Sequence, residues 1–280
     1  MRSRHLLGIM VFVSVLVLAL NGNAYAIKNG QPDSGNNWPY VGWVVTWDGE
    51  SPYVYLCTGS LIAPQVVLCA GHCTVPPGGI AMAWVSFYPT AEWPPPLPIP
   101  NIKPGSGWKA VAEWHTNPLF CMGCGKKGLT DWITHDVGIL ILEEPVDLEE
   151  YAALPAAGFV DTLPMKKDVD LVGYGVQYQV HCGGPPYWDY IDFGYRYYAQ
   201  AQLIASNHVL SDEFLRLTAN PGQGKGGTCF GDSGSPILLA GTNTVLGVCS
   251  WGTNGNCAGV SYEQRIDIPG ILAWIESFLD

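Results

Sequence analysis

Glycine and proline leave this chain no room for long helices before its C-terminal end. With 34 Gly and 22 Pro among 280 residues, every apolar run is cut short. Val41-Gly42-Trp43-Val44-Val45, Gly59-Ser60-Leu61-Ile62, Val66-Val67-Leu68, Gly138-Ile139-Leu140-Ile141-Leu142, Asp170-Leu171-Val172-Gly173 and Thr244-Val245-Leu246-Gly247-Val248 are examples. Short β-branched runs bounded by turn residues read as strands. Only Ile268, Ile271, Leu272, Ile275 and Phe278 recur at helical spacing, with Pro269 near the start. The expectation is an all-β chain with one terminal helix and no internal sequence repeat. Residues 89–104, 117–130 and 178–190 read as long loops. The first carries Trp93-Pro94-Pro95-Pro96-Leu97-Pro98, a stiff surface loop or a polyproline ligand. The aromatic cluster from Tyr187 to Tyr198 suits a substrate-facing rim or half-buried strand packing.

The N-terminus reads as an export signal. Arg2 and Arg4 precede an apolar stretch from Leu6 to Leu20, and Ala24-Tyr25-Ala26 is a small-x-small cleavage site. The stretch is short for a membrane span, and a single N-terminal anchor is the alternative. Cleavage after Ala26 leaves ample chain for a large core or two barrels. The formal net charge is −11, and losing Arg2 and Arg4 makes it more negative. That balance argues against nucleic acid and anionic membrane surfaces as partners.

Nine cysteines behind an export signal point to disulfides, and the odd count leaves at least one thiol outside an internal bridge. Cys121-Met122-Gly123-Cys124 has metal-ligand spacing but no second pair, so a loop disulfide is preferred over zinc, with Cys182 as an alternative partner. Cys69 and Cys249 lie in apolar strand runs and read as buried thiols or as a mutual bridge.

One run carries chemistry. Cys229-Phe230-Gly231-Asp232-Ser233-Gly234-Ser235-Pro236 holds a serine between glycines, ahead of an apolar strand. A serine hydroxyl becomes a nucleophile when a tight turn exposes it, a base takes its proton and backbone N–H groups face the forming oxyanion. Upstream, Val66 to Cys73 is an apolar run ending in His72, and Asp136 stands at the mouth of the strand Gly138 to Leu142. The order His72, Asp136, Ser233 is one of the known triad orders. The order Ser, Asp, His with a G-x-S-x-G elbow does not fit, since the serine here sits in G-D-S-G. His135, beside Asp136, is the rival base, but adjacent strand positions face opposite ways.

Together with Ile27-Lys28-Asn29-Gly30, Gly173-Tyr174-Gly175 and Ser250-Trp251-Gly252, these motifs fall in one register over nearly all of the chain after residue 26. The chain resembles the chymotrypsin/trypsin family of secreted serine endopeptidases. The resemblance implies two antiparallel six-stranded Greek-key barrels: residues 27–150 carrying His72 and Asp136, and 151–265 carrying Ser233. A helix over 266–280 follows, and the catalytic cleft lies between the barrels. It implies Ser233 as nucleophile, His72 as general base, Asp136 as its orienting partner, and the N–H groups of Gly231 and Ser233 as oxyanion hole. It implies disulfides Cys57–Cys73 and Cys229–Cys257, and an ion pair between a freed Ile27 amine and Asp232, so that signal cleavage itself activates the enzyme.

The resemblance also places Gly227 and Thr228 at the base of the primary pocket, Gly252 and Gly259 on its walls, and Ser250, Trp251 and Gly252 along the substrate backbone. A base without fixed charge implies uncharged, apolar or aromatic residues before the scissile bond. The alternative is that Glu263 enters from the side and restores basic specificity. The implied partners are protein or peptide substrates and proteinaceous inhibitors, with no nucleic acid, membrane, cofactor or metal. A protease-like protein that only binds, and an esterase using the same triad, are the rival readings.

Overall fold

A computed structural model describes residues 27–91, 107–124, 133–176, 179–180, 187–188, 194–205, 212–219, 224–252 and 255–279. The export signal, the proline run at 93–98 and Cys182 lie outside the described residues. Six strands form a closed antiparallel barrel: β1 (Val41–Trp47), β2 (Tyr55–Ala63), β3 (Val66–Cys69), β4 (Met82–Ser86), β5 (Trp108–Thr116) and β6 (Gly138–Leu142). Their order around the barrel is β1-β2-β3-β6-β5-β4, closed by β4 on β1. Six more follow: β7 (Asp168–Gly173), β8 (Tyr197–Ala205), β9 (Phe214–Ala219), β10 (Pro236–Leu239), β11 (Val245–Gly252) and β12 (Gly259–Arg265). They run β7-β8-β9-β12-β11-β10 and close through β7 and β10. The two barrels therefore share one Greek-key order, a repeat of topology that leaves no trace as repeated sequence. Closure removes the open edges that would otherwise invite aggregation.

Two apolar clusters fill the barrels, the larger reaching from the first barrel to Val172, Leu238 and Val248 of the second. Val44, Leu61, Leu68, Ile139 and Leu140 fill the first, and Val169, Leu171, Leu203, Leu217 and Leu246 the second. A fully buried aliphatic side chain of this kind contributes about 1.5–3 kcal/mol.

The chain ends cross over. Gln31–Pro32 pairs with β8, and Ile27 packs in the second core. The helix α1 (Pro269–Glu276) places Ile271 and Ile275 in the first cluster. Pro269 starts the helix with its fixed φ and pushes Ile268 into extended backbone, so α1 is shorter than the apolar spacing over 266–280 suggested.

Arg196, fully buried, links these parts. Its guanidinium bonds the Asp33 carboxylate at 2.8 Å and donates to the Val41 and Phe87 carbonyls at 2.9 and 3.1 Å. A buried charge is tolerable because it is paired and its donors are used.

The disulfides Cys57–Cys73, Cys121–Cys124 and Cys229–Cys257 are formed. Bridged sulfurs are not thiolates, so Cys121 and Cys124 do not offer zinc a ligand pair. Cys69 and Cys249 are buried free thiols, which replaces the alternative of a bridge between them.

Candidate active site

Three local structures bring His72, Asp136 and Ser233 to one place. His72 sits in a single 3-10 turn, Gly71–Thr74, at the end of β3. The Cys57–Cys73 disulfide fastens that turn to β2. Asp136 follows His135, whose left-handed backbone (φ 52°) bends the chain just before β6. Ser233 lies in the turn before β10, with Gly231 at φ 95° and Gly234 at φ 81°. A Cβ at Gly234 would lie 2.5 Å from the Thr58 carbonyl and 2.6 Å from the Ala70 nitrogen, so this position needs glycine on two counts.

Thr58 on β2 pulls the serine turn onto the first barrel. Its N–H donates to the Ser233 carbonyl at 2.8 Å, and its Oγ1 donates to the Gly231 carbonyl at 3.0 Å. Cys73 Sγ lies 3.6 Å from the same Ser233 carbonyl oxygen. The serine turn thus abuts the disulfide that anchors His72. Among the described residues, the N–H groups of Gly231 and Ser233 donate to no other group of the protein.

Asp136 is fully buried and its carboxylate is saturated. Oδ2 lies 2.8 Å from His72 Nδ1 and accepts from Ser250 Oγ at 2.6 Å, while Oδ1 accepts from the His72 N–H at 2.8 Å. Burial pulls the His72 imidazole down. The Asp136 charge and its hydrogen bond together outweigh that, and the net shift is upward from the ordinary 6.5. Such a pair fixes the tautomer with hydrogen on Nδ1 and leaves Nε2 as the basic nitrogen. His135 points elsewhere, its Nδ1 3.9 Å from Glu213 Oε2. The two neighbours diverge as expected, through a turn rather than strand alternation. The sulfurs closest to the His72 ring belong to Cys57 and Cys73 and are bonded to each other, so they are no metal ligands.

Sequence reasoning missed Gln264. This fully buried amide on β12 accepts from the Asp136 N–H at 3.0 Å and donates to the Glu213 and Arg265 carbonyls at 3.1 and 3.3 Å. It braces the Asp136 turn from the second barrel. The available signal was three consecutive polar residues, Glu263-Gln264-Arg265, in a strand buried over most of its length.

Ile27 is buried, and its backbone nitrogen hydrogen-bonds the Asp232 carboxylate. The same carboxylate accepts from Gly175 and Cys229 N–H at 2.8 and 2.9 Å. A Cβ at Gly173 would lie 2.2 Å from Asp232 Oδ1, and one at Gly175 2.5 Å from its Cγ, so Gly173-Tyr174-Gly175 makes room for the buried acid. Burial pushes Asp232 up to about 7 against those hydrogen bonds.

A cavity of about 310 Å³ opens beside Ser233 and is lined by Thr228, Cys249, Ser250, Trp251 and Gly252 among others. Two expected pocket residues do not line it. The Gly227 N–H donates to the Lys28 carbonyl at 3.1 Å, and a Cβ there would meet Ala219 at 2.5 Å. Gly227 is therefore spent on holding the N-terminal segment. Gly259 opens β12 and is exposed, and a Cβ there would meet no atom within 4 Å.

Comparison with known proteins shows the family and the fold. The family model described as "Trypsin" matches residues 27–275. The chain is 26% identical to a tryptase of Mus musculus, covering 96% of this chain and 92% of the relative. It is 25% identical to a beta-fibrinogenase of Macrovipera lebetinus, covering 80% and 77%. Among solved structures it resembles the HL collagenase (TM-score 0.67, 17% identity, 90% of this chain and 98% of the other). It also resembles the human heparin binding protein (TM-score 0.60, 16% identity, 90% and 96%).

Proposed function

Since the chain belongs to the trypsin/chymotrypsin-like serine protease family, we propose that it is a secreted serine endopeptidase acting through Ser233, His72 and Asp136. The observation that carries this reading is the 2.8 Å pair of His72 Nδ1 with the buried Asp136, set beside the Ser233 turn by the Cys57–Cys73 clamp. Ser233 Oγ attacks the peptide carbonyl while His72 Nε2 takes its proton. The free N–H groups of Gly231 and Ser233 stabilise the oxyanion, where a single donor is worth about 2.7–4 kcal/mol. His72 then protonates the leaving amine, and water repeats the sequence on the acyl-enzyme. Ser250, Trp251 and Gly252 offer an extended edge to the substrate backbone. The uncharged cavity lining favours apolar or aromatic residues before the scissile bond.

The rival readings remain distinct. A protein named for heparin binding shares this fold, so the fold alone does not imply hydrolysis. Turnover of peptide amides against simple esters decides between them: endopeptidase action requires amide cleavage, ester-only turnover supports the esterase, and neither supports a binding protein.

The pH profile is fixed by His72. Its raised value means the pair with Asp136 stabilises the fold fully below the unfolded imidazole value, and this is lost as pH rises through the folded one. Activity runs the other way, because the base must be neutral. The acid limb of kcat/KM should therefore have its midpoint above 6.5. A midpoint at or below that value would contradict the His72–Asp136 coupling.

Gln264→Leu should leave the Asp136 N–H buried without an acceptor, at about 1–3 kcal/mol of stability. It should also lower kcat more than it changes KM and shift the acid limb of the pH profile. Urea unfolding and steady-state kinetics read both effects, and an unchanged pH profile would reduce Gln264 to a purely structural brace.

A further inference from the structure

Catalysis by Ser233 needs the N–H groups of Gly231 and Ser233 aimed at one point. These donors sit on separate peptide groups, Phe230–Gly231 and Asp232–Ser233. A trans peptide is planar, so holding its carbonyl fixes where its N–H points. The Phe230 carbonyl accepts from the Val176 N–H at 2.7 Å, and the Asp232 carbonyl from the Ser235 N–H at 2.7 Å. Backbone groups thus aim both donor peptides. The peptide between them, Gly231–Asp232, is held differently. Its N–H donates to the Cys229 carbonyl at 3.0 Å, but its carbonyl is held by a side chain, Thr58 Oγ1 at 3.0 Å.

Thr58 is fully buried, and its neighbours fix the direction of its bonds. The Tyr174 N–H can only donate, and it does so to Thr58 Oγ1 at 3.2 Å. The Gly231 carbonyl can only accept, so the hydroxyl hydrogen goes to it. The Thr58 N–H meanwhile holds the Ser233 carbonyl at 2.8 Å. One residue of the first barrel thereby grips the second barrel's serine turn at both Gly231 and Ser233. Next to Tyr174, the Gly175 N–H holds Asp232 at 2.8 Å. Two consecutive N–H groups therefore brace the turn, one directly and one through Thr58. The need for this grip comes from Gly231. Its φ of 95° is open to glycine, which leaves that conformation as readily as it enters it.

We propose that Thr58 is a positioning residue for the oxyanion hole: its hydroxyl locks the Gly231–Asp232 peptide and keeps the flanking Gly231 and Ser233 N–H groups converging. This rests on the reading of Ser233 as nucleophile and deepens it. Without the hydroxyl, the Gly231 carbonyl and the Tyr174 N–H lose their buried partner together. The middle peptide is then free to rotate, and the donors on either side lose their common aim. The hydrogen bonds of Asp136 run to His72, Ser250 and Gln264 rather than to Thr58. The base therefore keeps its strength while the oxyanion loses support.

The test compares Thr58→Val, which keeps the shape and loses the hydroxyl, with Thr58→Ser, which keeps the hydroxyl, in the chain beginning at Ile27. Thr58→Val should lower kcat by about tenfold to a hundredfold, less than the loss of a whole donor because both N–H groups remain. KM should stay near that of the parent, and the acid limb of the pH profile should keep its midpoint. Labelling of Ser233 by a fluorophosphonate, whose phosphoryl oxygen needs the same donors, should slow by a similar factor. Thr58→Ser should restore both rates. Parent-like kcat in Thr58→Val overturns the proposal, as does a loss that Thr58→Ser shares or one that moves the pH midpoint. If Thr58→Val does not fold, Thr58→Ala carries the same comparison. If Ser233 is labelled and Thr58→Val slows the labelling while no peptide is cleaved, the positioning role stands and the peptidase reading falls.

Discussion

Ser233→Ala and His72→Ala should each lower peptide turnover by roughly a millionfold, and the double variant should be no worse than either alone. The residues act as one unit, since the serine is inert without the base and the base has nothing to activate without the serine. Neither change removes core packing. Ser233 is half-buried on its turn and His72 is partly exposed. Thermal unfolding of Ser233→Ala should therefore stay near that of the parent, whereas His72→Ala leaves the buried Asp136 without its 2.8 Å partner and should unfold at a lower temperature. Asp136→Asn should lower turnover by about 10⁴-fold, because the amide reverses the hydrogen bond that sets the His72 tautomer. Additive losses, or near-parent activity in Ser233→Ala, would contradict the assignment.

The second large effect concerns the N-terminus. A chain beginning at Ile27 should be active, and one extra residue before Ile27 should lower activity by a hundredfold to a thousandfold, roughly the value of an oxyanion-hole donor. Asp232 is buried with its carboxyl at about 7 when the Ile27 nitrogen is an uncharged amide. Its neutral form then stabilises the fold below the unfolded carboxylate value, and that contribution fades as pH rises through about 7. A freed ammonium at Ile27 reverses this by pairing with the carboxylate. The pair raises the amine above its unfolded value of about 7.7–8.0, so its stabilisation is complete below that value and is lost as pH rises through the folded one. Asp232 precedes Ser233, and its saturated carboxylate fixes the turn that presents the Gly231 and Ser233 N–H groups. Activity and stability of the Ile27 form should hold through neutral pH and fall under alkaline conditions, whereas a form with Met before Ile27 should lose stability already near pH 7. Equal activity of the two forms would refute the coupling.

How much of this was legible in the sequence depended on distance along the chain. The short runs around Val41, Val66 and Gly138 announced their strands because alternation and β-branching are local signals. Trp108–Thr116 did not, since its mixed Lys109, Glu113 and His115 reflect a strand largely half-exposed rather than a core. The serine turn, the histidine turn and the aspartate were readable because each sits in a compact motif. The contacts that join them were not. Thr58 reaching Gly231, Gln264 reaching Asp136 and Asp33 reaching Arg196 span 173, 128 and 163 residues, and no periodicity encodes such pairs. The pocket shows the same limit. Counting back from Ser233 pointed to Gly227, whose N–H is engaged with the Lys28 carbonyl, while Glu263, the alternative the sequence offered, accepts from Thr228 on the cavity wall. Three consecutive polar residues in one strand were visible, but their partners were not.

The most direct measurement is covalent labelling with a fluorophosphonate, mapped by mass spectrometry on the chain beginning at Ile27. The account predicts one adduct per chain, on Ser233, and its loss in His72→Ala under the same conditions. Folded protein that takes up no label, or takes it on any residue other than Ser233, would contradict the catalytic triad.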